Sequence, residues 1–196
     1  MPYAAGWSTN LPAQNLAAAY AAGDQRKAVT ILDIEAYKTA NPALNITYSI
    51  APYKNTGLYN QKYLPRKGET SGQIELNYSN NFRTIRYAEV LLMAAEANNR
   101  ATAPNDVKAR GYLNQVRKRA FGNAANNINS SGATLRQAIW DERRLELGME
   151  GDRFFDLVRT GQAATKITGF VAGKHELFPI PQVEVDISGL TQNPRY

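Results

Sequence analysis

Two runs with helical periodicity, separated only by the connection Ala-Thr-Ala-Pro-Asn, constrain the fold more than any other feature of this sequence. In the first, FRTIRYAEVLLMAAEANNR from Phe82 to Arg100, the repeat puts Tyr87, Leu91, Ala94 and Asn98 on one face and Val90, Met93 and Ala97 on an adjoining one. In the second, VKARGYLNQVRKRAFG, Val107, Leu113, Val116 and Ala120 recur at helical spacing before Gly122 ends the run. So short a link makes the helices antiparallel, and the small Ala94, Ala95, Ala97 and Ala109 allow close approach. The expectation is a helical hairpin of the tetratricopeptide kind. A lone hairpin cannot bury its own faces, so a further packing surface is implied.

Around that hairpin the sequence predicts a mainly α chain with long loop-rich segments and minor β. Asn10 to Ala22 reads as a short helix with Asn10 as cap, Leu16 and Tyr20 on one face and Gly23 as terminator. Ala28 to Ile34 is rich in Val, Ile and Thr and is predicted as a strand. Tyr37 to Asn81, crowded with Asn, Pro, Gly and Tyr, reads as loops with at most short strands near Ile46 to Ile50 and Gln73 to Leu76. After a polar linker from Asn123 to Gly132, Thr134 and Gln137 form a capping box for a helix from Leu135 to about Gly148. EGDRFFDLVRTGQ then gives a further short helix ending at Gly161. From Phe170 onward the prolines favour an extended strap over regular helix. The chain is expected to be one domain over 1–196. Within it, 1–81 is a loop-rich ligand-side segment, 82–122 the hairpin, and 134–196 a helix plus strap.

Composition removes several classes of function. With no Cys in 196 residues there is no disulfide, thiolate nucleophile or Cys-based metal site, and no Cys to carry a lipid. No stretch approaches the roughly 20 apolar residues of a membrane helix, and the N-terminus lacks the basic start and apolar run of an export signal. The net charge of +6 would permit nucleic-acid binding. However, Arg136, Arg143 and Arg144 alternate with Asp141, Glu142 and Glu146, which indicates ion pairing, and no nucleic-acid recognition motif accompanies the arginines. No phosphate loop, dinucleotide fingerprint or two-histidine metal motif is present, so no cofactor and no metal are expected.

Catalysis is not expected either. Glu142 with Glu146 and Asp152 with Asp156 stand four apart, as an acid and base in one cleft would, but arginines flank every one of them. His175, the sole histidine, is expected to bond to backbone beside the proline-rich turn rather than act as a base. Loop aromatics remain. Trp7, Tyr53, Tyr59 and Tyr63 lie in nonperiodic segments and are candidate ligand contacts, because sugars stack their C–H faces on aromatic rings. Ordinary packing beneath a long loop is the competing reading for each. Trp140 and Tyr87, on helices, are expected in the core.

Four strings taken together resemble the SusD/RagB family: RYAEVLLMAAEA (Arg86 to Ala97), LNQVRKRA (Leu113 to Ala120), DERRLELGMEGDRFFDLVRTG (Asp141 to Gly161) and KHELFPIPQVEV followed by QNPRY. LAAAYAAGDQRKAVTI is similar to a family segment in which a Gly-Asp-x-Arg turn joins a helix to a strand. The resemblance implies the C-terminal half of a SusD-like fold and a non-catalytic role. That role is capturing oligosaccharide or another nutrient at the Bacteroidetes outer-membrane surface for a SusC-like TonB-dependent transporter. Members are held at the membrane by a lipid anchor, for which this chain has no Cys. It also implies that Arg86, Glu89, Glu142, Arg143, Arg144, Glu146, Arg153, Asp156 and Arg159 are a polar framework rather than ligand contacts. The alternative function is a tetratricopeptide-like protein-interaction module, its hairpin face using Asn114 and Arg117.

Overall fold

Pro12 limits where the first helix can begin, because its carbonyl accepts from the Thr56 hydroxyl at 2.8 Å and is engaged outside the helix. Helix α1 is therefore only Gln14–Ala17, with Ala13 as N-cap, in place of the expected Asn10 to Ala22. Leu16 and Tyr20 are both buried as the spacing required, and the Tyr20 hydroxyl donates to the Leu145 carbonyl at 2.8 Å. The computed structural model describes residues 10–48, 55–64 and 81–196. It contains two compact units, 1–150 and 151–196.

The expected strand from Ala28 to Ile34 is half helix. Asp24 accepts from both the amide and the Nε of Arg26, at 3.0 and 2.9 Å, and this clasp starts helix α2 (Arg26–Thr30). Strand β1 occupies only Ile31–Asp33. Asp33 then caps helix α3 (Ile34–Ala40), accepting from the Ala36 amide at 3.1 Å, so the supposed loop region opens with a helix. A 3-10 turn follows at Pro42–Leu44, and Ile46 to Tyr48 form no strand; Gln73 to Leu76 lie outside the described residues. Strand β2 (Leu58–Asn60) pairs antiparallel with β1, Leu32 opposite Tyr59. This small sheet packs with α1 through Leu16, Ala17, Tyr20, Ile31 and Leu58.

Helices α4 (Tyr87–Arg100) and α5 (Asp106–Phe121) form the expected hairpin, and α6 (Gly132–Glu146) supplies the packing surface that a lone hairpin lacks. Leu91 of the first face is buried, but Tyr87, expected in the core, is not. Ala88, Leu91, Leu92 and Ala95 face Ala109, Leu113, Val116, Leu135 and Ile139 in the core. Tyr87, 72% exposed, and Val90, Met93 and Val107 are left on the surface. Apolar residues run round most of α4, so periodicity alone could not select the face. Trp140 is half-buried under the Arg136 guanidinium, 5.7 Å from its ring centre. Gly122, at φ +73°, closes α5 in the left-handed conformation.

No capping box starts α6. Its N-cap is Ser131, and the local polar groups are satisfied from other helices. Asp106 accepts from the Gly132 amide at 2.6 Å, while Asn99 donates to Asp106 at 2.8 Å and to the Gly132 carbonyl at 3.0 Å. The end of α4 and the starts of α5 and α6 are thereby tied at one point. The linker before α6 is held equally firmly. Asn114 exchanges two hydrogen bonds with Ile128, Arg117 donates to the Asn126 carbonyl at 2.7 Å, and Arg110 donates to the Ser130 carbonyl at 3.0 Å.

The second unit holds α7 (Arg153–Arg159), α8 (Ala163–Lys166) and α9 (Gln182–Ser188). Helix α9 corrects the expectation of an extended strap. Pro181 is its N-cap, where a missing amide costs nothing because the first turn has no intrahelical partners. Phe154 gathers Phe155, Phe170 and Phe178 at ring distances of 5.6, 6.4 and 6.1 Å. The closing QNPRY string pins this cluster from outside. The Gln192 amide both accepts from Ile180 N and donates to Ile180 O, each at 2.8 Å. Asn193, Arg195 and Tyr196 donate to the carbonyls of Phe178, Ala172 and Leu177.

Candidate ligand clefts

Strand β2 and the turn after it carry the two described candidate tyrosines: Tyr63 lines one cleft of the first unit, and Tyr59 bonds to Asn55, which lines another. Upstream, Asn55 accepts from the Gly57 amide and donates to the Tyr59 hydroxyl, at 2.8 and 2.9 Å. The adjoining cleft, of about 260 Å³, is lined by Gln14, Asp33, Glu35, Tyr48 and Asn55 among others. The Tyr48 hydroxyl is pushed up to about 12, first by its hydrogen bond to the Glu35 carboxylate. Carboxylates, amides and a phenol in one recess suit a ligand that presents hydroxyl groups.

Downstream, the Gln61 amide donates to the Thr30 carbonyl at 2.9 Å and Asn60 accepts from the Lys62 amide at 3.1 Å. This turn directs Lys62 and Tyr63 into a cleft of about 350 Å³ shared with Val29, Arg83, Arg86 and Glu150. Tyr63 stacks on Phe82, their ring centres 6.2 Å apart and their planes inclined by 25°. Phe82 and Arg83 were read as the start of the α4 run, yet both precede its Arg86 N-cap and are exposed. Of the other candidates, Trp7 and Tyr53 lie outside the described residues.

Beneath this second cleft runs a network of ion pairs. Arg86 donates to both Glu146 and Glu150, and Lys62 donates to Glu150 and to the Glu146 carbonyl. Arg26 joins Asp24 at 2.6 Å, Glu142 at 2.7 Å and Glu146 at 3.1 Å, while Arg117 reaches Glu142 and Arg119 reaches Glu146, each at 2.5 Å. Burial alone would raise the Glu146 carboxyl, but hydrogen bonds from Arg119 and Arg86 overcome it and hold the group down at about 2. Burial likewise acts to raise Glu150, and Arg86 with Lys62 bring it below its ordinary value. Burial also lowers the Lys62 ammonium despite its partner Glu150. Glu146 and Glu150 are thus favoured in their ionised form, the opposite of what a general acid needs.

The other chemical candidates are paired within the chain as well. Glu89 lies 3.6 Å from Arg143, Arg144 donates to the Asn15 carbonyl and side chain, and Asp156 pairs with Arg159 at 2.7 Å within α7. His175 Nδ1 accepts from the Val171 amide at 3.0 Å, the backbone bond expected for it. Sequence reasoning missed Asp24, Arg26, Lys62 and Glu150 as framework. Asp24 and Arg26 were visible only as a turn motif, and Lys62 and Glu150 meet across 88 positions of chain. Arg117 and Asn114, nominated for a partner surface, are occupied by the chain's own linker and by Glu142.

Comparison with known proteins places this arrangement. The SusD-like protein P2 of Formosa agariphila is 31% identical over 193 residues, covering 94% of this chain and 36% of that protein. Surface glycan-binding protein A from Bacteroides fluxus superposes with a TM-score of 0.79 at 32% identity, over 100% of this chain and 42% of its own. The surface glycan-binding protein A of Bacteroides thetaiotaomicron, solved in complex with laminarihexaose, gives 0.76 at 29% identity over 98% of this chain and 46% of its own. The chain thus spans less than half the length of these relatives. The sequence profile of the SusD family matches residues 13–176, and the chain belongs to that family.

Proposed function

We propose that this chain is a non-catalytic glycan-binding component of an outer-membrane nutrient import system, delivering oligosaccharide to a SusC-like TonB-dependent transporter at the bacterial surface. The observation that carries the reading is the similarity of nearly the whole chain to a surface glycan-binding protein solved with an oligosaccharide. The site chemistry agrees with it. Tyr63 offers ring surface beside a polar cleft, Tyr59 is held beside a second, and both tyrosines belong to the loop-rich 1–81 segment read as the ligand side. The carboxylates that could do bond chemistry are committed to arginines, which favours binding over turnover. Membership of the SusD family supports the surface location. No helix among the described residues is long and apolar enough to cross a membrane.

Affinity electrophoresis of the folded chain through gels containing a panel of polysaccharides tests the reading, with Tyr63→Ala and Tyr59→Ala alongside. Retardation by at least one glycan, weakened about tenfold or more in one of the variants, is expected for a stacking contact. A folded chain that no glycan retards would refute it.

A further inference from the structure

The cleft at Tyr63 is positively charged in excess of what its own framework needs. Among the described residues, three cations, Lys62, Arg83 and Arg86, line it against one carboxylate, Glu150. Glu150 is already shared by Lys62 and Arg86, so its charge is spent inside the wall. The connected network beneath contains five basic groups (Arg26, Lys62, Arg86, Arg117, Arg119) and four acidic ones (Asp24, Glu142, Glu146, Glu150) among the described residues. It therefore carries no spare negative charge to offset Arg83. Arg83 itself has no hydrogen-bond or ion-pair partner among the described residues, although its guanidinium could take a planar anion through two parallel bonds. Beside it, Phe82 is 69% exposed and stacked on Tyr63, which gives the cleft an apolar ring surface as well as a free cation.

We infer that this cleft takes a glycan bearing negative charge, either a uronate carboxylate or a sulfate ester, with Arg83 as the charge contact and the Tyr63–Phe82 pair as the ring surface. The inference rests on the glycan-binding reading above and narrows its ligand class. A neutral glycan would leave Arg83 without a counter-charge among the described residues, whereas an anionic sugar ring lying against Tyr63 or Phe82 uses both features at once. The other cleft, with Asp33 and Glu35 in its lining, has the opposite sign and would repel the same group.

The test is the dissociation constant of the full chain for polygalacturonate, dextran sulfate and neutral laminarin, measured at low and raised sodium chloride. Arg83→Gln and Lys118→Gln are compared, the latter removing the same charge from the exposed surface of α5. Arg83→Gln is expected to weaken binding of the acidic polymer about tenfold, Lys118→Gln less than twofold, and salt to weaken the parent more than Arg83→Gln. Preference for polygalacturonate identifies the carboxylate, and preference for dextran sulfate the sulfate ester. Binding of laminarin with neither acidic polymer retained overturns this inference and leaves the glycan-binding reading standing. Equal losses for the two variants overturn it as mere net-charge attraction. Binding of none of the three by a folded chain overturns this inference, and the glycan-binding reading falls with it only if no glycan of the wider panel retards the chain.

Discussion

Arg26 Nη1 lies 2.7 Å from Glu142 Oε1, with both side chains almost wholly removed from water. One guanidinium thereby ties α2, the Asp24 turn and the buried face of α6 together, and neither partner has solvent to fall back on if the other is lost. Replacing Arg26 by alanine is expected to cost about 3 to 5 kcal/mol of stability, because it strands carboxylates in a low-dielectric interior. Urea unfolding of Arg26→Ala measures this directly. A loss below about 1 kcal/mol would mean the network rearranges around the gap.

Acid should unfold the first unit through Glu146. Its folded value of about 2 is depressed from 4.5, so its contribution is complete above the unfolded value and is lost as pH falls through the folded one. Glu150 is shifted in the same direction. Stability should therefore be level above about pH 5 and decline between about pH 4.5 and 2, Glu146 accounting for on the order of 3 kcal/mol. Melting temperature against pH tests it. Glu146→Gln should be less stable at neutral pH yet show a shallower acid decline than the parent, and parallel curves would contradict the assignment.

Periodicity made the hairpin legible and could not orient it. Around α4 the sets Tyr87, Val90, Met93 and Ala88, Leu91, Leu92, Ala95 are both apolar, and the choice between them is made by α6, which lies far along the chain. The same holds for the helix starts. Thr134 and Gln137 satisfied a local capping rule, but Asp106 and Asn99 took the Gly132 backbone groups first, through contacts that no local window contains. Pro181 was read as a breaker although it stands at the N-cap, where no intrahelical amide bond is lost. At the clefts, loop position was enough to nominate Tyr59 and Tyr63. Phe82, Arg83 and Glu150 join Tyr63 only through tertiary contact, so their part in that site had no local signature.

The buried face of α4 yields a paired prediction. Leu92, at 0% exposure, should cost about 2 to 5 kcal/mol when replaced by alanine, whereas Val90→Lys on the adjoining exposed face should change stability by less than about 0.5 kcal/mol. Burial of the adjoining Val90, Met93 and Ala97 face instead would reverse that order. Denaturant midpoints of the two variants decide between them.

Gln192 should control the end of the second unit. Its side-chain amide returns both hydrogen bonds of the Ile180 backbone, as a neighbouring strand would, immediately before Pro181 starts α9. In Gln192→Ala the Ile180 amide and carbonyl lose those partners together, a loss of about 1 to 3 kcal/mol where the groups stay shielded from water. Hydrogen exchange at Ile180 and through the first turn of α9 should accelerate, while exchange in α4 to α6 stays as in the parent. Unchanged protection at Ile180 would show that Asn193, Arg195 and Tyr196, which hold the Phe178, Ala172 and Leu177 carbonyls, secure the segment without it.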